Sequence, residues 1–186
     1  MSRLELQETP LAGLWAVRRQ RLADERGFFS RLFCAQDLAE AGWVLPIAQI
    51  NHTLTHRRGA IRGLHYQTAP HAEDKFISCL RGEIFDVAVD LRRDSPTFLR
   101  WHGAVLSAAN MTSLLVPQGF AHGFQTLCDD CELIYLHSRP FAPEAEAGLN
   151  VRDPMVAIRW PLPFGDISVR DAARGFIGSD FAGIAL

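Results

Sequence analysis

Between Gly59 and Asp90 the chain sets Arg62, His65 and Lys75 around two strand-like segments, Gly59-Ala-Ile-Arg-Gly-Leu-His-Tyr-Gln67 and Arg81-Gly-Glu-Ile-Phe-Asp-Val-Ala-Val-Asp90. A guanidinium, an imidazole and an ammonium are the side-chain types of anion binding and proton transfer. The cysteines offer a second kind of chemistry, because Cys128-Asp-Asp-Cys131 has the spacing of a metal knuckle or a redox pair. No second pair and no Cys/His partner lies nearby in the sequence. Two acidic residues between the thiols also suit a hairpin turn, so two ordinary thiols flanking a turn are the expectation.

Strands must position these groups. In the segment ending at Asp90, Phe85, Val87, Val89 and Leu91 share one face and Ile84, Asp86, Ala88 and Asp90 the other, the two-residue period of a β-strand. A face with two aspartates is not expected to be pure core. The same period over Ile61 to Gln67 puts His65 with Gly63 and Gln67 and sends Arg62 and Leu64 to the opposite side, unless Gly63 marks a bulge that re-aims them. In Cys131 to Ser138, Leu133, Tyr135 and His137 fall on one face and Ile134 and Leu136 on the other. Tyr135 can therefore point into a cavity or pack with its hydroxyl at a rim.

From Ile47 onward, short apolar runs alternate with Gly, Pro, Asn and Asp at intervals of roughly ten residues, the texture of an all-β sandwich or barrel. Strands are expected near 46–54, 59–67, 74–80, 82–91, 99–106, 112–116, 121–127 and 131–138, with an earlier candidate at Leu14 to Val17. Asp94-Ser-Pro-Thr97 and Pro117-Gln-Gly119 read as turns. Helices are expected to be few: Ala35 to Ala41, stopped by Gly42, and a short one opening at Ser168-Val-Arg-Asp171, where Asp171 reads as a cap or a solvated turn. So many antiparallel strands in a chain of this size favour a jelly roll.

The 186 residues are 48% apolar, enough for one buried core, and are read as a single domain over 1–186. A net charge of −2 gives no global attraction to nucleic acid or acidic membranes, so any anion must be bound locally. No apolar leader, membrane-length span or lipidation motif is evident, and a cytoplasmic protein is expected.

The motifs Asp24-Glu-Arg-Gly-Phe-Phe29, Ile61-Arg-Gly-Leu-His-Tyr-Gln67, Gly82-Glu-Ile-Phe-Asp-Val-Ala-Val-Asp90 and Pro117-Gln-Gly-Phe-Ala-His-Gly-Phe124 resemble those of the dTDP-4-dehydrorhamnose 3,5-epimerase family. Ser95-Pro-Thr-Phe98, Ile134-Tyr135 and Ala142-Pro-Glu144 continue the resemblance, which runs from about residue 22 to 174. It implies a cupin-type jelly roll and a homodimer in which an amino-terminal strand joins the partner's sheet. The implied substrate is a dTDP-linked 4-keto-6-deoxy sugar, the implied reaction is inversion at C3 and C5 beside the C4 ketone, and no cofactor is needed.

By the same resemblance His65 is the general base, Asp171 orients it, Tyr135 returns a proton from the opposite face, and Lys75 stabilises the enolate oxygen. Arg26 and Arg62 fall at diphosphate-binding positions. Gln49, Asn51, His122, Glu146 and Arg170 fall at further substrate-binding positions. The metal-binding cupin pattern, two histidines one residue apart followed by a glutamate, is missing: Tyr66 and Gln67 follow His65, and no metal is expected.

Four positions depart from the family pattern: Arg31, Ile50, Leu136 and Phe141. They are expected on the nucleotide or sugar-recognition side, which leaves a monoepimerase acting at C3 or C5 as one alternative. A cupin that binds a sugar nucleotide without turnover is another. Retention of His65, Lys75, Tyr135 and Asp171 together favours catalysis.

Overall fold

A computed structural model describes residues 3–186. Its strands in chain order are β1 (Leu4–Glu8), β2 (Trp15–Arg19), β3 (Leu22–Asp24), β4 (Gly27–Phe29), β5 (Gln49–Thr55), β6 (Ile61–Gln67) and β7 (Lys75–Arg81). They continue as β8 (Glu83–Asp90), β9 (Trp101–Ser107), β10 (Thr112–Val116), β11 (Phe120–Thr126), β12 (Cys131–His137) and β13 (Glu146–Gly148). The α-helices are α1 (Ala35–Leu38) and α2 (Val169–Ala172). A 3-10 turn, Ala39–Ala41, extends α1 until Gly42, whose φ of 94° gives the left-handed stop that glycine permits.

All eight strands expected near or beyond Ile47 form, with ends shifted by at most three residues, and the early candidate becomes β2. β1, β3, β4 and β13 were not anticipated. Three of the four are short, and β3 and β4 are exposed along their whole length, so no burial period marks them.

Two antiparallel sheets make a jelly-roll sandwich. One runs β1-β2-β10-β7-β12-β5 and the other β13-β6-β11-β8-β9, while β3 and β4 form a separate hairpin. β1 pairs with β2 of its own chain, Leu4 opposite Arg19. The facing side chains of the sheets, among them Ile77, Leu114 and Leu133 from one and Ile84, Leu106 and Phe124 from the other, build the inner core. Each such side chain contributes about 1.5–3 kcal/mol when fully buried.

The outer faces are covered too. Val87 and Val89 of β8, with Leu91 just beyond it, pack beneath Leu149, Val151 and Val156. Val17, Phe76 and Leu136 pack beneath Leu38 and Trp43 around α1.

The two faces of β8 separate as its alternation requires, but the aspartate face turns inward. Asp86 and Asp90 are both fully buried, each with a partner: His122 at 2.8 Å for Asp86, and Arg92, Ser95 and Thr97 for Asp90. Buried carboxylates persist only when paired in this way.

Cys128 and Cys131 flank a turn as expected, with sulfurs 3.6 Å apart and both thiols free. Burial pushes the Cys131 thiol up to about 11. Among the described residues no group of three or more His, Cys, Asp or Glu side chains is arranged to hold a metal ion, and no helix is long and apolar enough to cross a membrane.

Candidate active site

Residues of both sheets line a cavity of roughly 1020 Å³, at the upper end of the ~300–1,000 Å³ usual for small-molecule sites. Its walls come from opposite sheets. β6 and β11 supply Arg62, His65 and His122, β5, β7 and β12 supply Asn51, Lys75, Tyr135 and His137, and the segment before and through α2 supplies Ser168, Arg170 and Asp171.

The placement of His65 beside Arg62 depends on a break in strand register. His122 pairs with His65 but Phe124 pairs with Arg62, so one residue of β11 spans two residues of β6. This is the bulge that Gly63 signalled, and it turns Arg62 and His65 into the same cavity although regular alternation separates them. Gly63 has a φ of 130°, and a Cβ there would lie 2.6 Å from the Gly123 Cα. Both glycines are needed for this close approach.

Asp171 reaches His65 because the chain before α2 runs alongside β6. The Ile61 N–H donates to the Asp166 carbonyl at 2.8 Å, and Ile61 bridges to Ile167. Ser168 caps the helix by accepting from the Asp171 N–H at 3.0 Å, which leaves the Asp171 carboxylate free for other partners. Those are the His65 Nε2 at 2.7 Å and, more distantly, the Gly63 N–H at 3.4 Å. The cap belongs to Ser168, and Asp171 is neither a cap nor a solvated turn residue: its side chain is 4% exposed.

Burial opposes ionisation of Asp171, but the His65 bond and charge, the Gly63 N–H and the Ser168 hydroxyl outweigh it and hold the carboxyl below its usual range. Burial is also the largest influence on His65 and pushes its imidazole below the ordinary value, with Asp171 pulling the other way. With its Nε2–H donated to Asp171, the neutral ring carries its lone pair on Nδ1.

Across the cavity, burial pushes the Tyr135 phenol well up, so it stays protonated at neutral pH. Lys75 is 7% exposed, and its ammonium donates to the His65 carbonyl oxygen at 3.2 Å and lies 3.3 Å from Glu73. His122 meets Asp86 at 2.8 Å, and burial drives the Asp86 carboxyl upward despite the imidazole. Arg62 is steadied by the Thr55 hydroxyl at 2.9 Å.

Gln49 and Glu146 stand behind the wall. Gln49 donates to the Asn51 Oδ1 at 3.0 Å, and Glu146 on β13 holds Arg170 at 3.0 Å and Arg174 at 3.1 Å. Arg26 is not brought to the cavity: it lies on the exposed β3–β4 hairpin, paired with Asp24 at 2.6 Å.

The four unusual positions correct the expectation placed on them, since none lines the cavity. Leu136 is 3% exposed and packs in the outer core on the face opposite Tyr135, Ile50 and Phe141 are exposed, and Arg31 pairs with Asp37 at 3.1 Å. The cavity is also lined by groups that the sequence did not single out, notably Arg57 and His137, and Glu73 stands beside Lys75 without lining it. The alternation of β12 already put His137 on the Tyr135 face. No comparable signal marked Glu73, which precedes β7.

A sequence model of the family described as dTDP-4-dehydrorhamnose 3,5-epimerase matches residues 8–177. The dTDP-4-dehydrorhamnose 3,5-epimerase of Shigella flexneri is 41% identical over 160 residues, 85% of this chain and 88% of the relative. Among solved structures, the dTDP-6-deoxy-D-glucose-3,5-epimerase of Legionella pneumophila Philadelphia 1, in complex with dTDP-4-keto-L-rhamnose, superposes with a TM-score of 0.91 at 35% identity, covering 98% of this chain and 99% of that one. A 3'-monoepimerase of Streptomyces bikiniensis, bound to dTDP-quinovose, superposes with a TM-score of 0.85 at 34% identity, covering 91% and 86%. Matched across nearly its whole length in sequence and in fold, the chain belongs to the dTDP-4-dehydrorhamnose 3,5-epimerase family of isomerases.

Proposed function

We propose that this protein epimerises a dTDP-linked 4-keto-6-deoxyhexose at C3 and C5, converting dTDP-4-dehydro-6-deoxy-D-glucose to dTDP-4-dehydro-L-rhamnose, as a cytoplasmic homodimer. The observation that carries the reading is one cavity with His65, paired to Asp171 of α2, on one sheet and Tyr135 on the other. Inversion requires a proton to leave one face of a carbon and another to arrive on the opposite face, and two groups on facing walls meet that need.

His65 Nδ1 takes the proton beside the ketone, and Asp171 stabilises the imidazolium that forms. The electron pair moves onto the C4 oxygen, where the Lys75 ammonium stabilises charge that develops only in the transition state. Tyr135, a neutral phenol, returns a proton from the other side. C3 and C5 both flank the ketone, so one base and one acid serve both centres when the sugar presents each in turn. Arg62 and Arg170 supply local positive charge for the diphosphate in a protein whose net charge is −2.

The homodimer gives Arg26 its role. Phe28 and Phe29 on the same hairpin are 52% and 58% exposed, an apolar pair suited to a second copy, whose cavity Arg26 would then reach. Similarity to both 3,5-epimerases and a 3'-monoepimerase makes inversion at a single carbon a second reading.

Incubation with dTDP-4-keto-6-deoxyglucose in deuterated water, followed by proton NMR, tests the proposal. Exchange at both C3 and C5 with formation of the L-rhamno product is expected. Exchange at one carbon selects the monoepimerase, and no exchange with any of several 4-keto sugar nucleotides rejects catalysis.

A further inference from the structure

His137, which lines the cavity, and Glu73, buried beside it, have no part in the mechanism above. His137 stands two residues beyond Tyr135 on the same face of β12, their rings stacked with centroids 6.2 Å apart. Its Nδ1 lies 2.8 Å from Glu73 Oε2, and Glu73 Oε1 lies 3.3 Å from the Lys75 ammonium. The side chains of His137, Glu73 and Lys75 are only 12%, 7% and 9% exposed. Burial works against the Glu73 charge, but His137 and Lys75 together hold the carboxyl below its usual range.

The direction of every bond in this network follows from one backbone group that cannot turn over. The Phe141 N–H can only donate, and it does so to Gln49 Oε1 at 2.9 Å. Gln49 therefore presents its amide nitrogen to Asn51, whose Oδ1 accepts at 3.0 Å. Asn51 in turn presents its own amide nitrogen to His137 Nε2 at 3.3 Å. Facing a donor, Nε2 must accept, so the proton of the neutral ring is on Nδ1 and is donated to Glu73. One carboxylate oxygen is thus occupied by His137, and the other is turned to Lys75.

We propose that His137 and Glu73 are positioning residues for the epimerisation: His137, fixed in its Nδ1–H form through Asn51, Gln49 and the Phe141 N–H, holds Glu73 so that its second oxygen sets the Lys75 ammonium in place for the enolate oxygen. The inference rests on the proposed reaction and extends it by two residues, neither of which touches the reacting carbons. A flexible lysine stem has many rotamers, and an ammonium fixed before the reaction stabilises the enolate without reorganising.

The substitutions separate position from packing. His137→Asn keeps an amide donor where Nδ1 stands, whereas His137→Gln places its polar group at Nε2 and loses the donor to Glu73. We expect His137→Gln and His137→Phe to lower kcat by about tenfold or more with KM and dTDP affinity unchanged, short of the ~10²–10³ that deleting an oxyanion donor costs. His137→Asn is expected to restore most of the rate. In a Lys75→Met background, His137→Phe should cause no further loss, because its effect runs through Lys75.

Nitrogen-15 NMR of the unliganded protein provides a readout independent of turnover, and the Nδ1–H tautomer is expected. An Nε2–H tautomer, an unchanged kcat in His137→Phe, or an undiminished loss in the Lys75→Met background overturns the positioning role while the reaction stands. A wild type that exchanges no deuterium overturns both together.

Discussion

Replacing Asp171 with Asn tests the central pair while changing almost nothing in shape. Asp171 accepts from two donors, the His65 Nε2–H at 2.7 Å and the Gly63 N–H at 3.4 Å, and an amide has only one oxygen for them. If that oxygen stays on His65, a charge-assisted bond worth about 1.5–3 kcal/mol becomes a neutral one worth about 0.5–1.5 kcal/mol, and at 1.36 kcal/mol per decade the difference of about 1–1.5 kcal/mol lowers the rate about five- to tenfold. If the oxygen turns to Gly63, the amide NH₂ faces His65 and drives the proton to Nδ1. The base is then in the wrong tautomer, for which a loss near ~10⁴ is the known scale in a histidine–aspartate pair.

The pH profile carries a second signature. Asp171 opposes the downward push of burial on His65, so removing its charge lets the imidazole fall further. The acid limb of kcat/KM should move to lower pH as the plateau drops. Initial rates of deuterium incorporation at C3 and C5, measured across pH by NMR, read both effects. An Asp171→Asn enzyme with wild-type rate and an unmoved acid limb refutes the orienting role.

In the wild type, kcat/KM should fall only below the ordinary imidazole value of roughly 6.5, because His65 is depressed and remains a neutral base down to that range; an acid limb above it contradicts the assignment. Tyr135→Phe should retain deuterium exchange yet lose inversion, since His65 can still remove a proton and return one to the same face; product formation at the wild-type rate rules out Tyr135 as the acid. Gly63→Ala puts a Cβ 2.6 Å from the Gly123 backbone at a φ of 130°, and overpacking plus backbone strain should cost about 3 kcal/mol, a Tm drop of roughly 6–12 °C by calorimetry. Iodoacetamide near pH 8 should label Cys128 well before the buried Cys131 and Cys79, whose thiols burial pushes up to about 11 and about 12; peptide mapping that finds Cys79 labelled first contradicts this.

The local order of this chain was legible because strand periodicity is written one residue at a time. The two faces of β8, the shared face of Leu133, Tyr135 and His137, the stop at Gly42 and the bulge at Gly63 each follow from a few consecutive residues. Periodicity assigns a side chain to a face but does not say what will cover that face. Hence the aspartate face of β8 was not expected to be pure core, and its aspartates instead lie buried beside partners, one of them His122, 36 residues from Asp86.

The pairing of His65 with Asp171 is the stronger case. His65 and Asp171 are 106 residues apart, and only the run of chain from Asp166 along β6 brings them to 2.7 Å. The same long-range packing keeps Arg26 out of the cavity and draws Glu73 between Lys75 and His137. Local residue patterns were enough for most strands of the two sheets, for which side chains share a face and for the residue types available for proton transfer. Which of those groups meet was settled by the packing of the folded chain, because a contact between distant segments depends on how whole sheets and their coverings pack, which no local window of residues contains.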